Sequence, residues 1–193
     1  MVRQLKPLSK SCLLGVIVVA VLGSLVLYPE IDLFVSGLFY TPEEGFYFHD
    51  NAFLLGLKRA AFYGSRLLAV CFLLGAVICF VRKKALLQMP ARGWLFLLAC
   101  LLIGPGLLAN VVLKDNWGRA RPRDVTVFQG EATFTPAAYM TDQCDRNCSF
   151  VSGDASFGFF LTAFAYVVAR RRRRTVFWTA MAAGSLFAGA RIM

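Results

Sequence analysis

Five long apolar runs govern what this chain can fold into; they lie at residues 11–28, 60–81, 93–113, 150–169 and 175–193. Each is about 17–22 residues, the length a helix needs to cross a hydrocarbon core of roughly 30 Å. Lipid offers no water to the backbone, so a spanning run folds as a helix that closes its own hydrogen bonds. The expected class is all-α, a polytopic membrane bundle with five transmembrane helices. Of the 193 residues, 58% are hydrophobic and 17% charged, against about 25% charged in soluble domains. One aqueous core of this size cannot hold so much apolar surface, and 18 Phe exclude a disordered chain. Gly104-Pro105-Gly106, inside the third run, predicts a kink.

Charge sorts the intervening segments onto two sides. The N-terminal tail (Arg3, Lys6, Lys10), the loop after the second run (Arg82, Lys83, Lys84, Arg92) and the loop Arg170–Arg174 are basic and free of acid. All 11 acidic residues fall on the other side. Basic short loops stay cytoplasmic, which puts the N-terminus inside and both long loops outside. The net charge of +10 is thus a matter of membrane topology rather than of nucleic acid. Arg170–Arg174 is expected to meet anionic headgroups; five arginines at mid-membrane would cost on the order of 12–17 kcal/mol. Residues 1–28 read either as a cleaved signal peptide or as an uncleaved first span. The long apolar run, and the lack of an A-x-A site before Pro29, favour the span. Phe34, Phe39, Tyr40, Phe46, Tyr47 and Phe48 in the first outer loop suggest an aromatic belt, with a short interfacial helix at 31–40.

This topology brings three polar clusters to the outer face. The third run exits into Lys114-Asp115-Asn116-Trp117-Gly118-Arg119-Ala120-Arg121-Pro122-Arg123, the fourth opens with Ser149 to Ser156, and the fifth ends with Gly189-Ala190-Arg191. Lys114, Arg121 and Arg191 can converge there on an anion. Arginine's fork meets two phosphate oxygens at once and lysine adds a compact charge. Ser152-Gly153 at a helix start adds a hydroxyl, free N–H groups and the positive end of the dipole. Taken singly, these are ordinary features: basic residues near a membrane touch headgroups, and Ser-Gly-Asp is a common N-cap. Four cations within ten residues on the unfavoured side (Lys114, Arg119, Arg121, Arg123) ask for more than anchoring.

Lys114 to Pro122 reads K-x6-R-P, and here the sequence resembles the type 2 phosphatidic acid phosphatase (PAP2) superfamily, whose first signature this is. Phe150 to Ser156 (FVSGDAS) is similar to its second, usually P-S-G-H. Arg191 falls where the Arg of the third, S-R-x5-H-x3-D, would stand. Asp32-Leu33-Phe34 and Cys144 to Ser149 are similar to the bacterial lipid A phosphatase branch. The resemblance implies a six-helix membrane fold, of which five helices are present. It divides the chain into an N-terminal helix with its aromatic outer loop (1–59) and a phosphatase-like domain (60–193), incomplete at its C-terminus. It also implies roles. Lys114, Arg121 and Arg191 would hold the phosphoryl oxygens, and Ser152 and the Gly153 N–H would complete the cradle around a trigonal-bipyramidal transition state. A third-motif histidine would attack phosphorus and a second-motif histidine would protonate the leaving oxygen. Neither metal nor cofactor is needed. The expected partners are membrane lipids and a phosphorylated lipid substrate, and nothing sets an oligomeric state.

Two positions depart from the family. Asp154 stands where the acid histidine usually stands. An ordinary aspartate is ionised at neutral pH, and nearby arginines keep it so. It is a catalytic acid only with a raised pKa; otherwise it caps the helix or pairs with an arginine, or the leaving group needs little help. Capping or pairing is the preferred expectation. The nucleophilic histidine would be the sixth residue after Arg191, beyond Met193, so the expectation is a truncated frame, fragment or remnant. His49, the sole histidine, lies on the correct side but is expected to be solvated. Cys144 and Cys148 are candidates for a disulfide that their spacing alone does not decide; Cys12, Cys71, Cys79 and Cys100 are expected to be packing residues. Arg66 either snorkels to the interface or leans into the site, and snorkelling is preferred. The rival readings are a vanadate haloperoxidase, disfavoured by the spans, a non-catalytic phosphate- or phospholipid-binding membrane protein, and a small transporter, disfavoured by the scarcity of polar residues within the spans.

Overall fold

A computed structural model of the chain describes Gly23, residues 27–48 and residues 51–191. Most of the first expected span, Cys12 and His49 lie outside the described residues. The protein is mostly helical, 64%.

Helix α1, Glu30–Gly37, matches the short helix expected at 31–40. Glu30 and Asp32 in its first turn suit the positive end of its dipole. A two-stranded antiparallel ribbon, β1 Tyr40–Thr41 and β2 Gly45–Phe46, follows. Tyr40 and Phe46 meet Phe128 of the long loop edge to face, with ring centroids 5.0 and 5.4 Å away. Part of the expected aromatic belt thus faces inward, while Phe34 and Tyr47 remain exposed.

Helix α2, Ala52–Arg82, starts earlier than the expected 60 and runs across the 59/60 boundary. Asn51 is the cause. Its side-chain oxygen accepts the Phe53 and Leu54 N–H groups at 3.0 and 3.3 Å, satisfying two orphan donors of the first turn. Helix α3, Ala91–Leu101, continues as a π-helical stretch, Leu102–Leu113. Pro105 has no N–H for the Leu101 carbonyl. The ladder slips to wider spacing, with Lys114 N–H donating to the Ala109 carbonyl at 3.1 Å. The feature expected as a kink at 104–106 is this change of helical register.

The fourth run begins at Gly153 rather than 150, as α4, Gly153–Phe160, a 3-10 turn, Leu161–Ala163, and α5, Phe164–Val167. Helix α6 is Arg170–Gly189. The expected loop Arg170–Arg174 is therefore the opening of a helix, and the chain breaks at Val168-Ala169 instead. Arginine is a good helix former, and Arg173 lays its guanidinium 4.5 Å from the Tyr166 ring centre.

Among the described residues, two helices are long and apolar enough to cross a membrane: Ala52–Arg82, mean hydropathy 2.2, and Ala91–Leu113, mean hydropathy 2.4. Both leave large apolar side chains outward, Leu67, Phe80 and Val111 among them, a surface suited to hydrocarbon rather than water. Inside, Phe72, Leu97, Leu101, Phe157, Phe160 and Phe187 form the core shared by α2, α3, α4 and α6. Helices α4 and α6 cross where Gly158 meets Gly184: a Cβ on Gly158 would stand 2.8 Å from the Gly184 Cα. Small residues at such a crossing let two backbones approach. The crossing sets the start of α4 beside the end of α6, and the polar residues gather there.

Candidate phosphate-binding site

Each stretch of the expected site has a local reason for its shape. Lys114 is the last residue of the helical ladder. Below it, the Asn116 amide donates to the Val112 and Val111 carbonyls at 2.8 and 3.1 Å, and Trp117 N–H donates to Leu113 at 2.9 Å, so the helix end is closed. Gly118 turns the chain with φ of 69°; a side chain there would overlap the Thr141 carbonyl. Arg119 turns away from the cluster. It forms an ion pair with Asp32 of α1, and its Nε donates to the Thr135 carbonyl at 2.8 Å. Of the four cations whose clustering asks for more than anchoring, Arg119 has structural partners.

Arg121 precedes the turn Pro122–Asp124 and donates from a terminal nitrogen to the Asn147 carbonyl at 2.8 Å. Asn147 lies within the ring closed by the Cys144–Cys148 disulfide, so the question left by the spacing is answered by a bond. Ser149 ties the loop to the first motif: its N–H donates to the Arg119 carbonyl at 2.9 Å and its hydroxyl to Ala120 at 2.8 Å.

Ser152 is the N-cap of α4. Its oxygen accepts the Ala155 N–H at 3.1 Å, and its own proton is left for a ligand. Gly153 is buried, and a Cβ there would overlap the Asn110 amide of the π-helical stretch. Asn110 is fixed in turn by donating to the Pro105 carbonyl at 2.6 Å. Asp154 pairs with Arg191: Oδ2 lies 3.3 Å from Nε, and both side chains are one-quarter exposed. The preferred expectation for Asp154 was capping or pairing; the cap is Ser152 and the pair is Arg191.

Two cavities meet at this ion pair. One, of about 130 Å³, is lined by Arg121, Ser152 and Arg191, with Lys58, Phe46 and Leu54 opposite. The other, of about 580 Å³, is lined by Lys114, Gly153 and Asp154, with Asn110, Asn147 and Arg66. All six residues singled out from the sequence therefore stand at one place. Burial, then the Arg191 guanidinium, pulls the Lys114 ammonium below its ordinary value, with Arg121 adding to the effect. Arg121 is lowered by burial first and then by Arg191 and Arg123. Three mutually repelling cations held close are a ready receptacle for an anion with several acceptor oxygens.

Arg66 was expected to snorkel. It is exposed, donates back to the Phe62 carbonyl at 2.6 Å, lies 3.4 Å from the Phe62 ring centre and also lines the larger cavity. Lys58, Asn110 and Asn147 escaped the sequence reading. For the first two a signal existed: each is a polar residue in or beside an apolar run, where polar groups are costly.

The profile of the PAP2 superfamily matches residues 93–193, which carry all six residues. The chain belongs to the PAP2 superfamily. Within PAP2 it is similar to the lipid A 4'-phosphatase of Francisella tularensis subsp. novicida, 38% identical over 164 residues, covering 82% of this chain and 72% of that protein. It is also similar to proteins of the same name from Rhizobium leguminosarum, 32% identical over 162 residues (77% of this chain, 70% of that one), and Rhizobium etli, 32% identical over 142 residues (67% and 55%). No solved structure matches.

Proposed function

We propose that this PAP2 chain is built as a metal-independent phosphatase that removes a terminal phosphate from a membrane lipid. Lipid A is the first candidate substrate, with isoprenyl pyrophosphates and phosphatidate as others. The observation that carries this reading is the convergence of Lys114, Arg121, Arg191, Ser152 and Gly153 around the Asp154–Arg191 pair. The three cations would hold the phosphoryl oxygens. The Ser152 hydroxyl and the Gly153 N–H, at the positive end of α4, would stabilise charge on the trigonal-bipyramidal transition state. A histidine nucleophile would attack phosphorus, release the lipid alcohol and give a phosphohistidine that water cleaves. The only histidine of these 193 residues is His49, so that nucleophile is not among residues 114–191. Asp154, paired as it is, would orient Arg191 rather than donate a proton.

We place the protein in the bacterial inner membrane, with five spans in a six-helix PAP2-like plan, the N-terminus cytoplasmic and the site periplasmic. The asymmetry of basic and acidic loops supports this. Cysteines introduced at positions 116 and 172 should label from opposite sides of intact cells; labelling from the same side would reject this topology.

The pairing of Asp154 with Arg191, at the position where the family usually has an acid histidine, favours a second reading, a phospholipid-binding member of the family without turnover. Purified protein in detergent, with EDTA present, separates the two. The phosphatase reading expects phosphate release from a phosphorylated lipid, lost in Arg121→Gln. The binding reading expects saturable binding of the same lipid with no release. Absence of both would remove the phosphate site altogether.

A further inference from the structure

The cavity of about 130 Å³ holds a cation that no signature motif supplies. Lys58, half-buried in the second turn of α2, shares this lining with Arg121, Ser152 and Arg191. It comes from outside the stretch 93–193 that matches the family. Among the described residues its ammonium makes no hydrogen bond or ion pair. Its electrostatic neighbours are Arg191, Asp154, Arg123 and Arg121.

Charge matching makes Lys58 a surplus. Arg123, also in this lining, is matched by Asp124 at 3.4 Å, and Lys114, Arg121 and Arg191 set against Asp154 leave two positive charges, which a phosphate monoester dianion neutralises. A further ammonium among arginines is repelled unless a second anion discharges it. The wall beside it is Phe46, Phe48 and Leu54, which suits an apolar body rather than a bare ion. Lys114 lines the other cavity, with Asp154, so Lys58 and Lys114 belong to different cavities.

We propose that Lys58 is a specificity-determining residue that binds a second anionic group of an amphiphilic substrate whose reacting phosphate lies against Arg121 and Arg191. The proposal rests on the phosphate-site reading above. It assigns the substrate class further: an amphiphile carrying two anionic groups, the second on the side of the leaving alcohol. Lysine suits this task because its compact charge on a flexible stem follows an anion whose position varies.

The test titrates the purified 193-residue protein, in detergent micelles, with two synthetic amphiphiles that share one sugar and acyl body and carry one or two phosphates. The wild type is expected to bind the doubly phosphorylated probe about tenfold more tightly than the singly phosphorylated one. Lys58→Gln and Lys58→Met should erase that preference, and Lys58→Arg should keep it. Equal affinity of the wild type for the two probes, or a preference that survives in both neutral variants, overturns the role of Lys58 and leaves the phosphate site standing. If neither probe binds the wild type, the phosphate-site reading fails and Lys58 falls with it.

Discussion

The Asp154 carboxylate stands 3.3 Å from the Arg191 Nε, joining the first turn of α4 to the residue just past α6. These helices are held together by the contact of Gly158 and Gly184, so the charge pair rests on an apolar crossing. The pair makes Asp154 a partner of an arginine proposed to bind phosphate. Replacing it by asparagine removes one negative charge beside the anion. Even with the screening of bulk water this charge is worth about 1 kcal/mol, so Asp154→Asn should bind inorganic phosphate about fivefold or more tightly by calorimetric titration. Loss of turnover in Asp154→Asn, together with a pH profile that requires a protonated group, would instead make Asp154 the acid.

Lys114 predicts a pH dependence. Its folded pKa is lowered by burial and by Arg191, so the ligand-free folded state holds this proton less tightly than the unfolded chain. Its charge therefore costs stability at neutral pH, and the cost fades as pH rises through the lowered value towards the ordinary one. A bound phosphate reverses the effect by favouring the charged form. Phosphate affinity should decline on the alkaline side before free lysine would titrate. Lys114→Met should bind about tenfold more weakly and lack that alkaline limb. Titrations from pH 8 upward check it, and a limb that persists in the variant assigns it to another group.

Gly153 and Asn110 should behave as one unit. A methyl group at 153 collides with the Asn110 amide, and overpacking of this kind costs about 1–3 kcal/mol. Gly153→Ala should lower the thermal midpoint in detergent. Adding Asn110→Ala should restore part of the loss, giving a non-additive double-mutant cycle. Additive losses would mean that Gly153 is required for its backbone alone.

The Cys144–Cys148 ring presents the Asn147 carbonyl to Arg121 at 2.8 Å. Opening the ring frees that carbonyl, and one hydrogen bond to a charged group contributes about 1.5–3 kcal/mol. Phosphate affinity should fall about tenfold in Cys144→Ser/Cys148→Ser, and by a similar factor in wild type after reduction with dithiothreitol. The doubly substituted protein should be insensitive to the reductant; continued sensitivity would place the effect elsewhere.

Much of this site was legible in the sequence because its cations stand at fixed distances along the chain and at the ends of apolar runs, where length and charge decide placement. Lys114, Arg121, Ser152, Gly153, Asp154 and Arg191 could be named before any geometry. Local chemistry that overrides hydropathy could not be read in the same way. Asn51 starts α2 early by capping it, Pro105 shifts the register of α3, and arginine's helix propensity draws 170–174 into α6. The pairing of Arg119 with Asp32 could not be read, because the two stand 87 positions apart in sequence. Lys58 was passed over because a lone lysine at the edge of an apolar run shows nothing of which cavity it lines.

The Arg119–Asp32 link reaches from a segment that precedes the family-matched stretch into its heart. A protein cut at residue 93 would keep every signature residue and still leave a guanidinium, one-ninth exposed at 11%, stranded without its counter-charge. The family-matched half of this chain is therefore not a module that can be lifted out: its N-terminal portion is scaffolding for the ground on which the phosphate would sit.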